Sequence, residues 1–233
     1  MEKDVKITIT KNGPYVLYGI PLNKEFIETD KKGYPISYKK IKDYPKQETC
    51  SLCRCGKSSD KPFCDGTHLK IKFDGTENKE LNNYIDRADK VEGKKLVLTD
   101  DISLCSGAGF CRGREGNTWD LTKSNDKKSN EIAIKQACNC SSGRLVIWDK
   151  KTNKPIEPKF KPSATILYEP WKKVGSSIWV KGNIPIFSSE EKKYETRNRV
   201  ALCRCGKSIN KPFCDGTHRA INFKDEEEAL TGN

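Results

Sequence analysis

Histidine is almost missing from this 233-residue chain: there are two, His68 and His218. No nucleophile-base constellation is visible, and neither a P-loop nor a dinucleotide fingerprint occurs, so nothing points to an enzyme. No segment approaches the run of about 20 apolar residues that a membrane helix needs, and no membrane role is expected. The opening MEKDVKITIT alternates apolar and polar residues as a strand does and has no apolar signal core, which argues for a cytoplasmic protein. What the chain does have is cysteine, 11 residues in all. In a reducing compartment such clusters bind metal or do redox work rather than form a disulfide framework.

Charge is lopsided, with a net +12 at pH 7. Basic surfaces attract nucleic acid and acidic proteins alike. Here the lysines are spread through stretches such as KKGYPISYKKIKDYPK and WDKKTNK among acids and polar residues. That distribution reads as a solvated surface rather than a nucleic-acid site. The expected partner is a redox protein, with an acidic one best suited to this charge.

The chain writes one string twice, CRCGKSSDKPFCDGTH from Cys53 to His68 and CRCGKSINKPFCDGTH from Cys203 to His218. Both histidines of the protein close these strings. In each, two cysteines separated by one residue project to the same side of an extended chain, while the third cysteine and the histidine, four apart, share a face if they sit on a helical turn. Pro62 fixes the approach to Cys64, and Asp65 and Gly66 favour a tight turn or helix start in which the carboxylate accepts backbone N–H groups. Three thiolates and one imidazole suit either a tetrahedral zinc or an iron-sulfur cluster. The single-residue spacing departs from the C-x2-4-C knuckle of zinc fingers.

The pattern C-x-C-x2-[ST]-x3-P-x-C-D-G-[SAT]-H resembles the CDGSH iron-sulfur domain of the mitoNEET-like family, matched at Cys53, Cys55, Ser58, Pro62, Cys64, Asp65, Gly66, Thr67 and His68 and again at Cys203, Cys205, Ser208, Pro212, Cys214, Asp215, Gly216, Thr217 and His218. The resemblance implies one [2Fe-2S] cluster per motif. Cys53 and Cys55 then bind one iron and Cys64 and His68 the other, with Cys203, Cys205, Cys214 and His218 repeating the arrangement. It also implies that the two modules pack about a pseudo-twofold axis inside a monomer. Between the copies, Cys50 falls opposite Val200 and reads as an ordinary thiol. Lys57, Lys61, Lys207 and Lys211 recur and read as solvated side chains, while Phe63 and Phe213 are expected to pack over the clusters.

The expected fold is α+β, mainly β, with a first CDGSH module over 1–79, an α+β insert over 80–165 and a second module over 166–233. In the insert, KKLVLTD and GRLVIWD read as strands, SNEIAIKQA as a short helix capped by Ser129 or Asn130, and TNKPIEPKFKP as a connecting loop. The insert holds four more cysteines, Cys105, Cys111, Cys138 and Cys140, a sufficient first shell for an iron-sulfur cluster or a zinc. It resembles the divergent single-cluster ferredoxin domain, in which C-x5-C is followed by C-P-S-G-[AR]-L. Cys105, Cys111 and Cys140 match; Ser141 replaces the proline, and Gly107 stands where that pattern often has a histidine. The resemblance implies a third cluster, [4Fe-4S] or [3Fe-4S], for which Cys138 is a candidate fourth ligand. The functional expectation is electron transfer, redox sensing or cluster delivery, and the alternative is a zinc-stabilised nucleic-acid-binding module.

Overall fold

The computed structural model describes residues 5–78 and 82–225. The chain opens with a hairpin of β1 (Lys6–Ile9) and β2 (Tyr15–Tyr18), whose period-two alternation buries Ile7, Ile9, Tyr15 and Leu17 on one face. It continues through β3 (Leu22–Thr29) and β4 (Pro35–Asp43) to β5 (Thr49–Leu52), which pairs with β2 and delivers the first cluster loop. That loop ends in a one-turn helix, α1 (Thr67–Lys70).

The insert follows with α2 (Tyr84–Arg87), β6 (Asp89–Glu92), β7 (Leu96–Asp100), the short hairpin β8 (Arg112–Gly113) and β9 (Gly116–Asn117), α3 (Thr118–Lys123), α4 (Lys127–Cys138), β10 (Leu145–Asp149) and β11 (Lys154–Ile156). Its strands form an antiparallel sheet in the order β11-β10-β7-β6, and the two longer helices close over a core of Leu96, Leu98, Leu121, Ala133, Ala137, Leu145 and Ile147. The second module then runs through β12 (Ser163–Glu169), β13 (Val174–Lys181), β14 (Ile186–Phe187), β15 (Arg199–Leu202) and α5 (Thr217–Ala220).

The two modules make two sheets, β14-β1-β2-β5 and β15-β13-β12-β3-β4. Position for position, β1, β2 and β5 of the first correspond to β12, β13 and β15 of the second. The remaining strands are exchanged, since β3 pairs in parallel with β12 and β14 pairs in parallel with β1. Neither module completes its sheet alone. The exchange merges their apolar faces into one core, in which Ile7, Tyr15, Leu17 and Leu52 meet Ala164, Ile166, Ile178, Val180, Ile186 and Leu202. The fold is thus the expected mainly-β α+β pseudo-dimer, and Tyr15 ties its halves by donating to the carbonyls of Cys203 (2.8 Å) and Pro212 (2.9 Å).

Three sequence expectations shift. Helix α4 starts earlier, because Asp126, not Ser129 or Asn130, is its N-cap and accepts from Ser129 N. The proline-rich stretch after the insert is not all loop, since β11 pairs with β10 at the sheet edge, where Pro155 is tolerated. The insert ends between Ile156 and Ser163 rather than at 165, because β12 already belongs to the second module's sheet.

The pseudo-twofold contact lies at the cluster loops. Gly56 (φ +75) abuts Cys205, whose carbonyl oxygen would lie 2.5 Å from a Cβ there, and Gly206 (φ +77) meets Cys55 in the same way. Gly33 has a similar φ of +84 but open space around it. Gly33→Ala is therefore expected to cost about 1–2 kcal/mol from backbone strain alone. Gly56→Ala adds the overpacking of rigid backbone, bringing the loss to at least about 3 kcal/mol. Urea-unfolding midpoints of the two variants measure the difference.

Candidate metal centres

Each repeated string folds into the same small cage. Cys53 N bonds to Pro62 O and Cys64 N to Ser51 O, drawing the two ends of the loop together; Cys203 N with Pro212 O and Cys214 N with Ala201 O do so again. Ser58 Oγ donates to Phe63 O (2.6 Å) and Ser208 Oγ to Phe213 O (2.8 Å), which explains a buried hydroxyl at that position. Asp65 accepts from Ser59 N and Thr67 N, and Asp215 from Ile209 N and Thr217 N. This fixes the turn that presents the histidine. The third cysteine and the histidine are not on one helical turn as the spacing suggested. The helix begins only at Thr67, after Gly66 in the left-handed region, and the turn itself brings the two side chains together.

The ligands stand as two pairs in each loop. Cys53 and Cys55 sulfurs are 3.7 Å apart, as are those of Cys203 and Cys205. Cys64 Sγ is 3.3 Å from His68 Nδ1, and Cys214 Sγ is 3.4 Å from His218 Nδ1. Two thiolates each about 2.3 Å from one tetrahedral metal stand about 3.8 Å apart, so each CxC pair fits one metal. Among the described residues no three Cys, His, Asp or Glu side chains gather around a single point. Paired donors of this kind suit two bridged irons better than one zinc.

Backbone N–H groups prepare the sulfurs. The Cys53 thiol is brought down to about 6 by its hydrogen bond with Cys55, and, against the push of burial, by the N–H groups of Ser58, Gly56 and Lys57. Cys203 reaches about 7 through its hydrogen bond with Cys205 and, against the push of burial, through the N–H groups of Ser208, Gly206 and Cys205. Burial raises Cys64 and Cys214. The low member of each pair is thus a thiolate near neutral pH, the form that binds metal.

Several supports lay beyond the sequence reading. Arg54 and Arg204 are buried under the loops and donate through Nε to Gly13 O and Ser176 O, both at 2.8 Å. The rings against the CxC pairs are Phe73 and Phe223, over which these guanidinium groups lie. Phe63 and Phe213, expected there, instead turn to the shared core and meet Tyr44 and Tyr194 edge-on. Lys57 and Lys207 are exposed, but Lys61 and Lys211 fold back to donate to Ser58 O and Ser208 O. The arginines, phenylalanines, tyrosines and lysines recur at the same offset in the two copies, a signal that the sequence did carry. Cys50 is half-buried against the shared core, as an ordinary thiol would be.

The copies differ at the histidines. His218 is 1% exposed, and its Nε2 faces Glu169 Oε1 (3.1 Å) and Ser176 Oγ (3.3 Å), while Arg219 Nε bonds the other Glu169 oxygen at 2.7 Å. Burial raises the Glu169 pKa, but His218 and Arg219 outweigh it and leave the carboxylate below its ordinary value. His68 is only half-buried, and Gly13 takes the place of Ser176. The cause is a longer hairpin. Ile9 pairs with Tyr15 across the first hairpin, whereas its counterpart Ile166 pairs with Ile178, twelve residues on. Glu169 lies in that additional length, outside the repeat, and no sequence signal marked it.

In the insert, Cys111 feels the charges of Cys140 and Cys105, although the three side chains do not gather around a single point. Burial raises Cys111 to about 11, and the charges of Cys140 and then Cys105 add to the rise. Arg144, paired bidentately with Asp100, hydrogen-bonds Cys105. Cys138 is not part of this group. It lies at the end of α4 with its thiol toward Ile156 O, beside Arg199 and Glu157. Arg199, buried in β15, donates to the carbonyls of Cys138, Cys140 and Leu145 and so clamps the insert to the second module. Cys105 O lies 3.3 Å from where Gly216 would carry a Cβ, which sets the insert's cysteine loop directly on the second cluster loop.

Soft sulfur and imidazole donors arranged in pairs define an iron-sulfur protein rather than a site for a hard cation. Residues 12–69 and 175–219 match the family described as iron-binding zinc finger CDGSH type, and residues 91–150 match that described as divergent 4Fe-4S mono-cluster. The chain therefore carries two CDGSH-type regions with a divergent mono-cluster region between them. No curated protein and no solved structure matches it. Among the described residues, no helix is long and apolar enough to cross a membrane.

Arg204 also pairs with buried Asp225 at 2.6 Å, each side chain 3% exposed. Removing one partner of such a pair leaves a buried charge uncompensated. Arg204→Ala is expected to lose about 3–5 kcal/mol, and adding Asp225→Asn should restore part of it, as read by chemical denaturation of the anaerobic protein.

Proposed function

We propose that this protein is a non-enzymatic one-electron carrier with two [2Fe-2S] sites, Cys53, Cys55, Cys64 and His68 in one and Cys203, Cys205, Cys214 and His218 in the other, and a third, cubane-type site held by Cys105, Cys111 and Cys140. The observation that carries the reading is the division of each Cys3His set into two close pairs. The clusters, when bound, supply one-electron chemistry, and replacing a thiolate by imidazole raises their reduction potential. The chain's own residues do the rest. Nδ1 of each histidine is the ligating atom, because it faces the third sulfur, and Nε2 is left to be tuned. At His218 a buried carboxylate accepts from Nε2, and such partners increase ligand basicity. At His68 no such carboxylate is present among the described residues. The second site is accordingly the lower in potential and the better shielded, and the first is the better exposed.

The insert supplies three thiolates. Gly107, at φ +83, has Arg219 where a side chain would begin. Three ligands fit a [3Fe-4S] cluster, or a [4Fe-4S] cluster whose fourth iron takes a ligand from outside the protein. The abutment of Cys105 on the second loop, and of the second loop on the first, makes the second site the middle of three. An acidic redox protein is the partner that the +12 charge favours.

Iron, sulfide and zinc analysis with EPR on anaerobically purified protein tests the reading. The expected material is red-brown, contains sulfide, and lacks stoichiometric zinc; a colourless zinc protein would sink it. Cys105→Ser, Cys111→Ser and Cys140→Ser should each remove the insert's EPR signal, while Cys138→Ser retains it. Glu169→Gln should raise the second-site potential by roughly 60 mV, the equivalent of a tenfold change in a one-electron equilibrium, and leave the first unchanged in a redox titration.

A further inference from the structure

The two cluster loops are near-identical in sequence and differ in what covers the turn before the short helix, although Ile209 (81%) and Ile221 (44%) stay exposed on the second. On the second, the insert's cysteine loop is seated: Asn210 Nδ2 donates to Ser103 O at 2.8 Å, Cys105 O meets Gly216, and Gly107 lies against the Arg219 guanidinium. Trp171, from the β12–β13 connection, lies beneath the Arg219 guanidinium.

On the first loop, the corresponding positions are Asp60, Gly66 and Leu69. Nothing lies within 4 Å of a Cβ placed on Gly66. Leu69 is 75% exposed and Ile71 46%. Around them Lys57, Lys70 and Lys72 are exposed, with Asp60 and Asp65 the neighbouring acids, and Asp65 is engaged by Ser59 and Thr67. An apolar centre with a charged rim, beside a half-buried His68, is the anatomy of a transient interface.

We propose that this face docks a separate, acidic iron-sulfur electron carrier of the ferredoxin kind, seated on the first loop as the insert is seated on the second. The proposal rests on the iron-sulfur reading above. Two observations name the occupant. The molecule itself places a mono-cluster region on the equivalent surface, by close backbone approach at the repeated turn of the motif. The lysine rim complements an acidic rim and disfavours a second copy of this basic chain. In the step that follows docking, the carrier's reduced cluster gives up one electron and becomes oxidised, and the first site takes up that electron; no bond is made or broken.

The probe is a plant-type [2Fe-2S] ferredoxin of net negative charge, chemically reduced and mixed with oxidised anaerobic holoprotein in a stopped-flow instrument. Lys70→Glu/Lys72→Glu is expected to lower the second-order rate by about tenfold at low ionic strength and to lose the effect in high salt, as steering requires. Leu69→Ser should slow transfer at both ionic strengths. Lys127→Glu/Lys128→Glu, exposed on α4 away from both loops, controls for net charge and should leave the rate near that of the parent. Iron and sulfide are assayed in every sample. Equal rates in fully loaded variants overturn the docking face and spare the iron-sulfur reading, whereas absence of sulfide overturns both. A holoprotein dimer that Leu69→Ser dissociates overturns the proposal in favour of self-association.

Discussion

Two sulfurs held 3.7 Å apart inside a protein are the constraint on which the rest of this structure turns. As a pair of thiolates they repel one another and are costly to bury, so the loop must supply opposing charge and fixed dipoles before a metal arrives. Backbone N–H groups after each CxC do this, and positive-φ glycines Gly56 and Gly206 let the backbone turn tightly enough to aim them. The same glycines bring the two loops into contact at the pseudo-twofold axis. Local chemistry and global symmetry are therefore set by one turn.

Strand exchange explains why the duplication stays in one chain and one core. β3 completes the second sheet and β14 the first, so the apolar faces of both hairpins are covered only when both modules are present. A symmetric scaffold then carries asymmetric additions. The β12–β13 hairpin, six residues longer than its counterpart between matching pairs, brings a buried carboxylate to His218, and the insert, clamped through Arg199, lies over the same loop. The first loop keeps its histidine half-buried. Two sites with the same ligands thus acquire different surroundings without any change in the ligating residues.

Much of the site was legible because its demands are local. Thiols one residue apart, a proline, an Asp-Gly turn and a histidine interact within sixteen residues of chain, and repetition marked which of them were fixed. Cys138 is close to Cys140 in sequence, whereas at the end of α4 its thiol turns toward Ile156 O of β11. Phe73, not Phe63, packs against the CxC sulfurs, since adjacency to a ligand in sequence does not fix which ring lies there.

The sequence by itself determined the paired donors, the two-module plan with its insert, and the α+β class, all of which follow from residue type and spacing within one segment. Only the tertiary structure decided which strands are exchanged, which loop the insert covers, and which histidine receives a carboxylate. Glu169 lies 49 residues from His218, and Arg199 reaches carbonyls about 60 residues away. Such contacts depend on how sheets pack and which backbone groups burial leaves in need of a partner, and no local pattern encodes that.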